Sequence, residues 1–485
     1  MPPKIFFLAL APLALSGCLH MPLRDIGAKM ALDGGYTAEY QHETDTLWNT
    51  TSEKLGWWTL YHDDELNTLI KQAFVNSPTL AQIRARLDQA GALTQQSKGT
   101  SLPSVTLNAD RSTQNGNNAQ PSDFNISTAA SYELDVWNRN RAEIKADSLI
   151  EQASREDLLA AHITLSASIV ETWLDILSLL EQENLINKQI EVNKTVLSLQ
   201  QKRFEMGAAS ALDMLQQEET LARSQSELPD IISAQKQAVN NIALLLGEVP
   251  QEGLRITKKP FPRALPLPQT GLPSNLLANR PDIVAAWLRL LSADWSAQAA
   301  WANRMPQFNL TALYSTSATG IDAVFNTWLV NLAVELTAPI FDGGLRKAEQ
   351  FRQEALADEK FHAYRETILT AVNEVENTLV SNIYTDQKIE ALNTQLNVSH
   401  KTLEQAQRNY SNGQSGYINV LNSLNNTQAL EQSILSSKLN QAKERVRLYR
   451  ALGGRSWAQD IAAPRAEQEQ PITDINAEEE KEDAS

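Results

Sequence analysis

Few residues in this chain are of a type and spacing that could do chemistry. Its 485 residues hold one cysteine, Cys18, and six histidines. A thiol can act as a nucleophile or a point of covalent attachment, and an imidazole as a base or a metal ligand. His162 and His362 stand singly in long helical stretches beside apolar and acidic neighbours, so a place on a helix face suits them better than a role as base. The six Met and six His show no local grouping of the kind that holds zinc or copper. The chain has no Gly-Lys-Ser/Thr phosphate-cradling loop, so it does not power work of its own. No nucleophile and base are legible as a pair, although a triad is not readable from spacing alone. We expect no enzymatic activity, no cofactor and no metal.

Cys18 is informative through its position. Lys4 precedes an apolar run from Ile5 to Leu15, followed by Leu15-Ser16-Gly17-Cys18. A basic start, a short apolar core and small residues make a secretory signal peptide over 1–17. The run is too short to cross a bilayer, which takes about 20 residues. Leu-Ser-Gly-Cys also resembles the bacterial lipoprotein processing box, which implies cleavage before Cys18 and diacylglycerol on its sulfur. Leu19 after the cysteine implies the outer membrane in that system. With a further N-acyl chain the anchor would hold stably, at about 0.8 kcal/mol per buried methylene. The net charge of −16 argues against nucleic acid as a partner. Part of that charge lies between Glu467 and Asp483, where Lys481 is the single base, as in a solvated, disordered tail.

The elements that must position any site are organised by a repeat. Phe204-Glu205-Met206-Gly207 with Asp213-Met214-Leu215 returns as Tyr410-Ser411-Asn412-Gly413 with Asn419-Val420-Leu421, displaced by 206 residues throughout. Leu102-Pro103 returns as Met305-Pro306 and Glu133-Leu134 as Glu335-Leu336, at offsets of 203 and 202. The drift falls in Pro339-Ile340-Phe341-Asp342-Gly343-Gly344, where the second copy has extra turn residues. Each half must then be one unit built to stand beside its copy.

Two segments, Asn138 to Met206 and Leu345 to Asn412, contain neither Gly nor Pro; as helices of about 70 residues they would each reach about 100 Å. Gly207 and Gly413 end them and allow the left-handed turn that starts a return helix. Pro229 is expected to break or kink the first return helix, and the second copy has no matching proline. Four shorter runs alternate. Val105, Leu107 and Ala109 lead the first; Ile126, Thr128, Ala130, Tyr132, Leu134 and Val136 the second. Phe308, Leu310, Ala312 and Tyr314 lead the third; Trp328, Val330, Leu332, Val334 and Leu336 the fourth. One face apolar and one polar is the signature of transmembrane barrel strands. Four strands cannot close a barrel, and an open sheet in lipid leaves backbone groups unpaired, so closure by oligomerisation or a soluble sandwich is required. The secretory signal favours the membrane. Arg280-Pro281-Asp282 reads as a helix start, with proline in the first turn.

Together these features resemble the TolC-like outer-membrane efflux channels, lipoprotein branch. The local marks are Trp57-Trp58 with Asp64-Glu65-Leu66; Tyr132-Glu133-Leu134-Asp135-Val136-Trp137; Asn279-Arg280-Pro281-Asp282-Ile283; and Pro339-Ile340-Phe341-Asp342-Gly343-Gly344. The resemblance implies a mixed α + β membrane protein and a homotrimer. Three sets of four strands would make a twelve-stranded barrel continuous with a long α-helical barrel crossing the periplasm, with a small mixed equatorial region between. It implies a passive duct anchored in outer-membrane lipid, joined through a periplasmic adaptor to an inner-membrane transporter. Gly207, Ala208, Ala209, Gly413, Gln414 and Ser415 match the adaptor-contacting tips. Asp213 matches an acidic position near the periplasmic aperture. Asn419 and Asn422 match constricting aspartates there, so a carboxylate ring gives way to an amide ring. Asn138 stands where the family usually has Gly, and Val284 and Trp287 replace its usual Arg and Glu.

The expected organisation is a signal peptide over 1–17, an anchored and equatorial segment over 18–60, and a first repeat over 61–252. That repeat carries strands near 103–112 and 125–136 and a helical hairpin near 138–247. An equatorial linker over 253–274 follows. The second repeat spans 275–456, with strands near 306–316 and 328–341 and a hairpin near 345–453, before a tail over 457–485. Small-molecule efflux leads; type I protein secretion and a poreless lipid-anchored coiled-coil scaffold are the alternatives.

Overall fold

The computed structural model describes residues 56–112, 123–250, 256–267, 280–319 and 326–453. Cys18, the signal segment, residues 253–255 and 268–274 of the linker, and the acidic tail lie outside them. A 3-10 turn, Trp57–Tyr61, opens the described chain. Helices α1 (Asp64–Asn76) and α2 (Pro78–Thr100) follow, then strands β1 (Ser104–Ser112) and β2 (Asp123–Leu134). The first hairpin is α3 (Arg139–Glu205) and α4 (Ala211–Leu246). The second half repeats this with α5 (Pro281–Ala302), β3 (Gln307–Ala318), β4 (Trp328–Thr337), α6 (Leu345–Ser411) and α7 (Tyr417–Ala451). Helices α3 and α6 are each 67 residues long, about 100 Å at 1.5 Å per residue.

Two compact units emerge, and each repeat contributes to both. One gathers Gln89–Gln152 and Trp287–Ala363, and so holds all four strands. They form one antiparallel sheet in the order β1-β2-β3-β4. The other holds the long reaches of both hairpins. Its core packs Trp57, Ile70, Leu158, Ile169, Trp173, Leu177, Ile242, Leu246 and Val446. Aromatic contacts knit it: Trp57 stacks on Tyr449 at 5.5 Å, and Tyr61 meets Trp173 edge-on at 5.4 Å. His162 sits wholly buried here, its ring 5.0 Å from Phe74 and its Nδ1 paired with the Leu158 carbonyl at 2.8 Å. Burial lowers its pKa, which fits a neutral core residue.

Two expectations are corrected. Helix α4 runs unbroken through Pro229. Proline removes the bond to the carbonyl of Gln225, but both residues are exposed, so water can take that place. Buried Ile231, Ala238, Ile242 and Leu246 anchor the C-terminal half. Strand β4 ends at Thr337 rather than near 341, because Pro339 has no N–H to donate to a ladder. The residues beyond it cap a helix instead. Asp342 accepts from Gly344 N at 3.0 Å and Arg346 N at 3.3 Å, while Gly343 and Gly344 take φ values of 65° and 86°.

Helix α3 starts by the same means with different residues. Asp135 accepts from Asn140 N at 3.1 Å and Arg141 N at 3.0 Å. Asn138 sits at φ 58°, in the left-handed region that Asn tolerates better than most side chains. The left-handed turn that leads into α3 is therefore made here by an asparagine rather than a glycine. Arg280 precedes α5 and does more than mark its start. It pairs with Asp282 at 2.6 Å and Glu374 at 2.7 Å, and donates to the Ala451 carbonyl at 3.0 Å.

Candidate functional site

The sheet's register sorts its residues onto two unlike faces. Val105, Ala130, Ala312 and Leu332 form one cross-strand row, and Leu107, Thr128, Tyr314 and Val330 the next. Ala109, Ile126, Thr316 and Trp328 form a third. Since side chains alternate along a strand, every residue of these rows lies on one face. The opposite face carries Ser104, Ser131, Thr311 and Ala333; then Asn108, Ser127, Ser315 and Leu329; and at one end Glu133, Asn309 and Glu335. Leu332, Val334 and Leu107 are each at least 70% exposed, so the apolar face is uncovered in the single chain. Both edge strands, β1 and β4, are exposed along their whole length. An uncovered apolar face backed by a polar one suits a wall between lipid and water.

The two hairpin turns are built alike. Gly207 takes φ 73° and Gly413 φ 72°. Ala208 N donates to the Arg203 carbonyl at 2.7 Å, and Gln414 N to Asn409 at 2.8 Å, the paired closure of a helix C-terminus by a left-handed glycine. A Cβ at either glycine would meet nothing within 4 Å, so the requirement is conformational rather than steric. The return helices start differently. Ser210 caps α4 through a capping box: its side chain accepts from Asp213 N at 3.1 Å, and Ser210 N donates to the Asp213 carboxylate at 3.2 Å. Gly416 caps α7 with no side-chain bond.

Asp213 and Asn419 thus occupy the same third position of their two helices, but the Asp213 carboxylate has a structural task and the Asn419 amide does not share it. Asn419 and Asn422 are both exposed and stand one turn apart on α7. Ala209 is half-buried, and Ala208, Gln414 and both glycines are exposed.

Behind the turns lies a cluster that the sequence did not announce. Tyr417, 2% exposed, donates its hydroxyl to Gln217 Oε1 at 2.5 Å. Gln217, wholly buried, donates to the Asn193 carbonyl at 3.0 Å. Tyr410 donates to Gln200 Oε1 at 3.0 Å, and the Arg203 guanidinium lies 4.5 Å from the Tyr410 ring centroid. The two tyrosine rings are 5.4 Å apart. One cluster therefore ties α3, α4, α6 and α7 together. Burial pushes the Tyr417 hydroxyl well above its ordinary pKa, with Tyr410 and Asp213 adding to the shift, so it stays a donor at any physiological pH. The signal was present in the mismatches of the repeat. Phe204 and Ala211 stand in the first copy where Tyr410 and Tyr417 stand in the second, and both differences add a hydroxyl.

A polar seam continues away from the turns. Asn193 Nδ2 donates to Ser224 at 2.8 Å; Gln189 Nε2 donates to Glu431 at 3.0 Å; Gln432 Nε2 donates to Glu227 at 3.1 Å. Lys443 and Asp175 close it with an ion pair at 2.6 Å. The first hairpin is thus joined to α7 by amides and charges here, whereas the aromatic core holds the other end.

Comparison with known proteins agrees with this geometry. Residues 69–248 and 272–454 each match the family model described as outer membrane efflux protein. The chain is 32% identical over 426 residues to the pyoverdine export outer membrane protein OpmQ of Pseudomonas aeruginosa, covering 83% of this chain and 88% of that one. It is 28% identical to the outer membrane protein OprJ of the same species, covering 92% and 94%. Among solved structures, the outer membrane protein VceC of Vibrio cholerae superposes with a TM-score of 0.77 at 23% identity, covering 82% of this chain and 98% of that one.

Proposed function

Because the chain belongs to the outer membrane efflux protein family, we propose that it is the passive exit duct of a tripartite efflux system in the bacterial outer membrane. The observation that carries this reading is the sorting of the four-stranded sheet into an apolar and a polar face with two open edges. Three chains side by side would pair every edge and enclose a polar lumen in twelve strands. The two repeats, 61–252 and 275–456, would each supply two strands and one hairpin. Asn419 and Asn422 would face the closed aperture as an amide ring, with Asp213 beside it.

Gly207, Ala208, Ala209, Gly413, Gln414 and Ser415 would receive a periplasmic adaptor, which couples the duct to an energised inner-membrane transporter. Cys18 would carry the lipid anchor. The cargo is a small molecule: pyoverdine export, as OpmQ is named for, supports that size class, and the transporter makes the selection. Purified full-length protein tests the reading. We expect a trimer that conducts in planar bilayers; a well-folded trimer with no conductance would leave a scaffold in place of a duct. Deleting the gene should lower export of a small molecule; loss of a secreted protein instead would favour type I secretion.

A further inference from the structure

Residues 256–267 form a strap between α1 and α7 that is neither helix nor strand. One end is pinned to α1: Thr257 N donates to Glu65 Oε1 at 3.0 Å, and Lys259 pairs with Asp63 at 2.6 Å. At the other end Leu265 is buried, and the Pro266 carbonyl accepts from the Tyr449 hydroxyl at 3.1 Å. Pro260, Pro262 and Pro266 fix φ and favour an extended run. Between its pins the strap makes one wall of a cavity of about 770 Å³, and α3, α6 and α7 make the others. Leu185, Phe261, Ile389, Leu396 and Leu435 face this cavity, each only half-buried. Apolar side chains from four elements thus converge without closing on one another.

Cations outnumber acids on the lining. Arg263 comes from the strap, and Lys438 and Arg445 come from one face of α7, two turns apart. Arg445 is 6% exposed and meets Asp386 at a long 3.4 Å. Among the described residues neither Arg263 nor Lys438 makes an ion pair. The acids of the lining are Glu181 and Glu431. Glu431 stands about 10 Å along α7 from Lys438 and about 21 Å from Arg445, and it accepts from Gln189 at 3.0 Å. We propose that this cavity binds a small amphipathic anion, with an apolar body and one carboxylate or sulfonate head. The body lies against Leu185, Phe261 and Leu435, and the head among Arg263, Lys438 and Arg445. Small-molecule sites are concave, mostly apolar and about 300–1,000 Å³ in volume, with a few polar groups that fix orientation. A strap stiffened by proline and pinned at both ends is formed before the ligand arrives, so binding adds little ordering cost. About 36 Å of α3 separates Glu181 from Glu205, where that helix ends, so the site is distinct from the hairpin turns. It is contained in one protomer and does not depend on the duct proposed above.

Three photoreactive probes with one body and different charge test the site: 4-benzoylbenzoate, its neutral amide, and 4-benzoylbenzylammonium. Each is irradiated with purified full-length protein in lipid nanodiscs, and the labelled peptides are mapped by mass spectrometry. The anion should label peptides covering 181–185, 260–265 and 431–438, with half-maximal labelling at about tenfold lower concentration than the amide. The cation should label them more weakly than either. Arg263→Gln with Lys438→Gln, both exposed positions, should erase the tenfold difference and leave labelling by the amide unchanged. Leu435→Trp fills the cavity and should abolish labelling of these peptides by all three probes. Should that variant fail to fold, Ala264→Leu fills the cavity from the strap and carries the same test. Equal labelling by anion and amide in the unsubstituted chain, or a tenfold difference that survives loss of both cations, overturns the proposed ligand class. Labelling that survives a filled cavity overturns the site. If no probe labels these peptides, another part of the chain or a second copy fills the cavity, and the proposal falls.

Discussion

Tyr417→Phe isolates the bond that ties the second return helix to the first hairpin. The ring and its packing stay, and only the hydroxyl leaves. Gln217 is wholly buried, and its Oε1 loses the donor at 2.5 Å. Water does not readily reach that position, so the penalty is that of an unsatisfied buried acceptor, about 1–3 kcal/mol. At about 1.4 kcal/mol per tenfold, local opening at the tips should become roughly five- to 150-fold more populated. Hydrogen exchange read by mass spectrometry would show protection falling by that factor in peptides spanning 193–217 and 410–424. Peptides around Trp173 should not change, because the aromatic core there makes no use of this bond. Gln217→Leu combined with Tyr417→Phe removes both partners of this bond and should recover part of the protection, not all of it, because the Asn193 carbonyl loses the Gln217 donor. Unchanged tip protection in Tyr417→Phe would show that the bond does not hold the hairpins, and the reasoning would fail.

Other perturbations have equally definite outcomes. Cys18→Ala should abolish labelling by a radiolabelled fatty acid; a labelled variant would remove the lipid anchor. Asn419→Ala with Asn422→Ala should raise the closed-state conductance of single trimers, and an unchanged value would remove these residues from the aperture. Pro229→Ala supplies the missing N–H to the Gln225 carbonyl and should stabilise α4 by up to about 3 kcal/mol, read as slower exchange on both sides of residue 229. Asp63 is pushed up by burial, but bonds from Lys259, at 2.6 Å, and from Leu66 N outweigh that and hold its pKa below the ordinary 3.8. Its contribution is therefore full above pH 3.8 and lost as pH falls through the lower folded value. Proteolysis of the 256–267 segment, whose Thr257 and Lys259 bind this corner, should accelerate only below that point.

The long elements were legible because their determinants are local. Freedom from Gly and Pro over Leu345–Ser411 and a glycine at each turn suffice to specify helix and reversal, and the apolar residue at every second position from Trp328 to Leu336 specifies a strand with one apolar face. Pro229 misled because its cost depends on what surrounds it: an exposed carbonyl and four buried residues downstream outweigh it. The end of β4 was overrun because Ile340 and Phe341 continue the apolar pattern, yet both are 92% exposed and follow a residue that cannot pair. The tip cluster depends on contacts between residues about 200 positions apart, such as Tyr417 with Gln217, and no local pattern encodes these. What the repeat did offer was the comparison of equivalent positions, where an added hydroxyl marks a new partner.

The exposed edges of β1 and β4 also govern how such a protein is made. A single chain carries two unsatisfied strands and an uncovered apolar face, so it is a poor solute in water and an incomplete one in lipid. Neither compartment offers it a resting state. In the trimer proposed above, insertion and assembly would then be coupled, since each chain needs a neighbour at both of its strand edges. Newly secreted protomers should accumulate as chaperone clients whenever synthesis outruns this step, and their lifetime in the periplasm should shorten as protomer concentration rises.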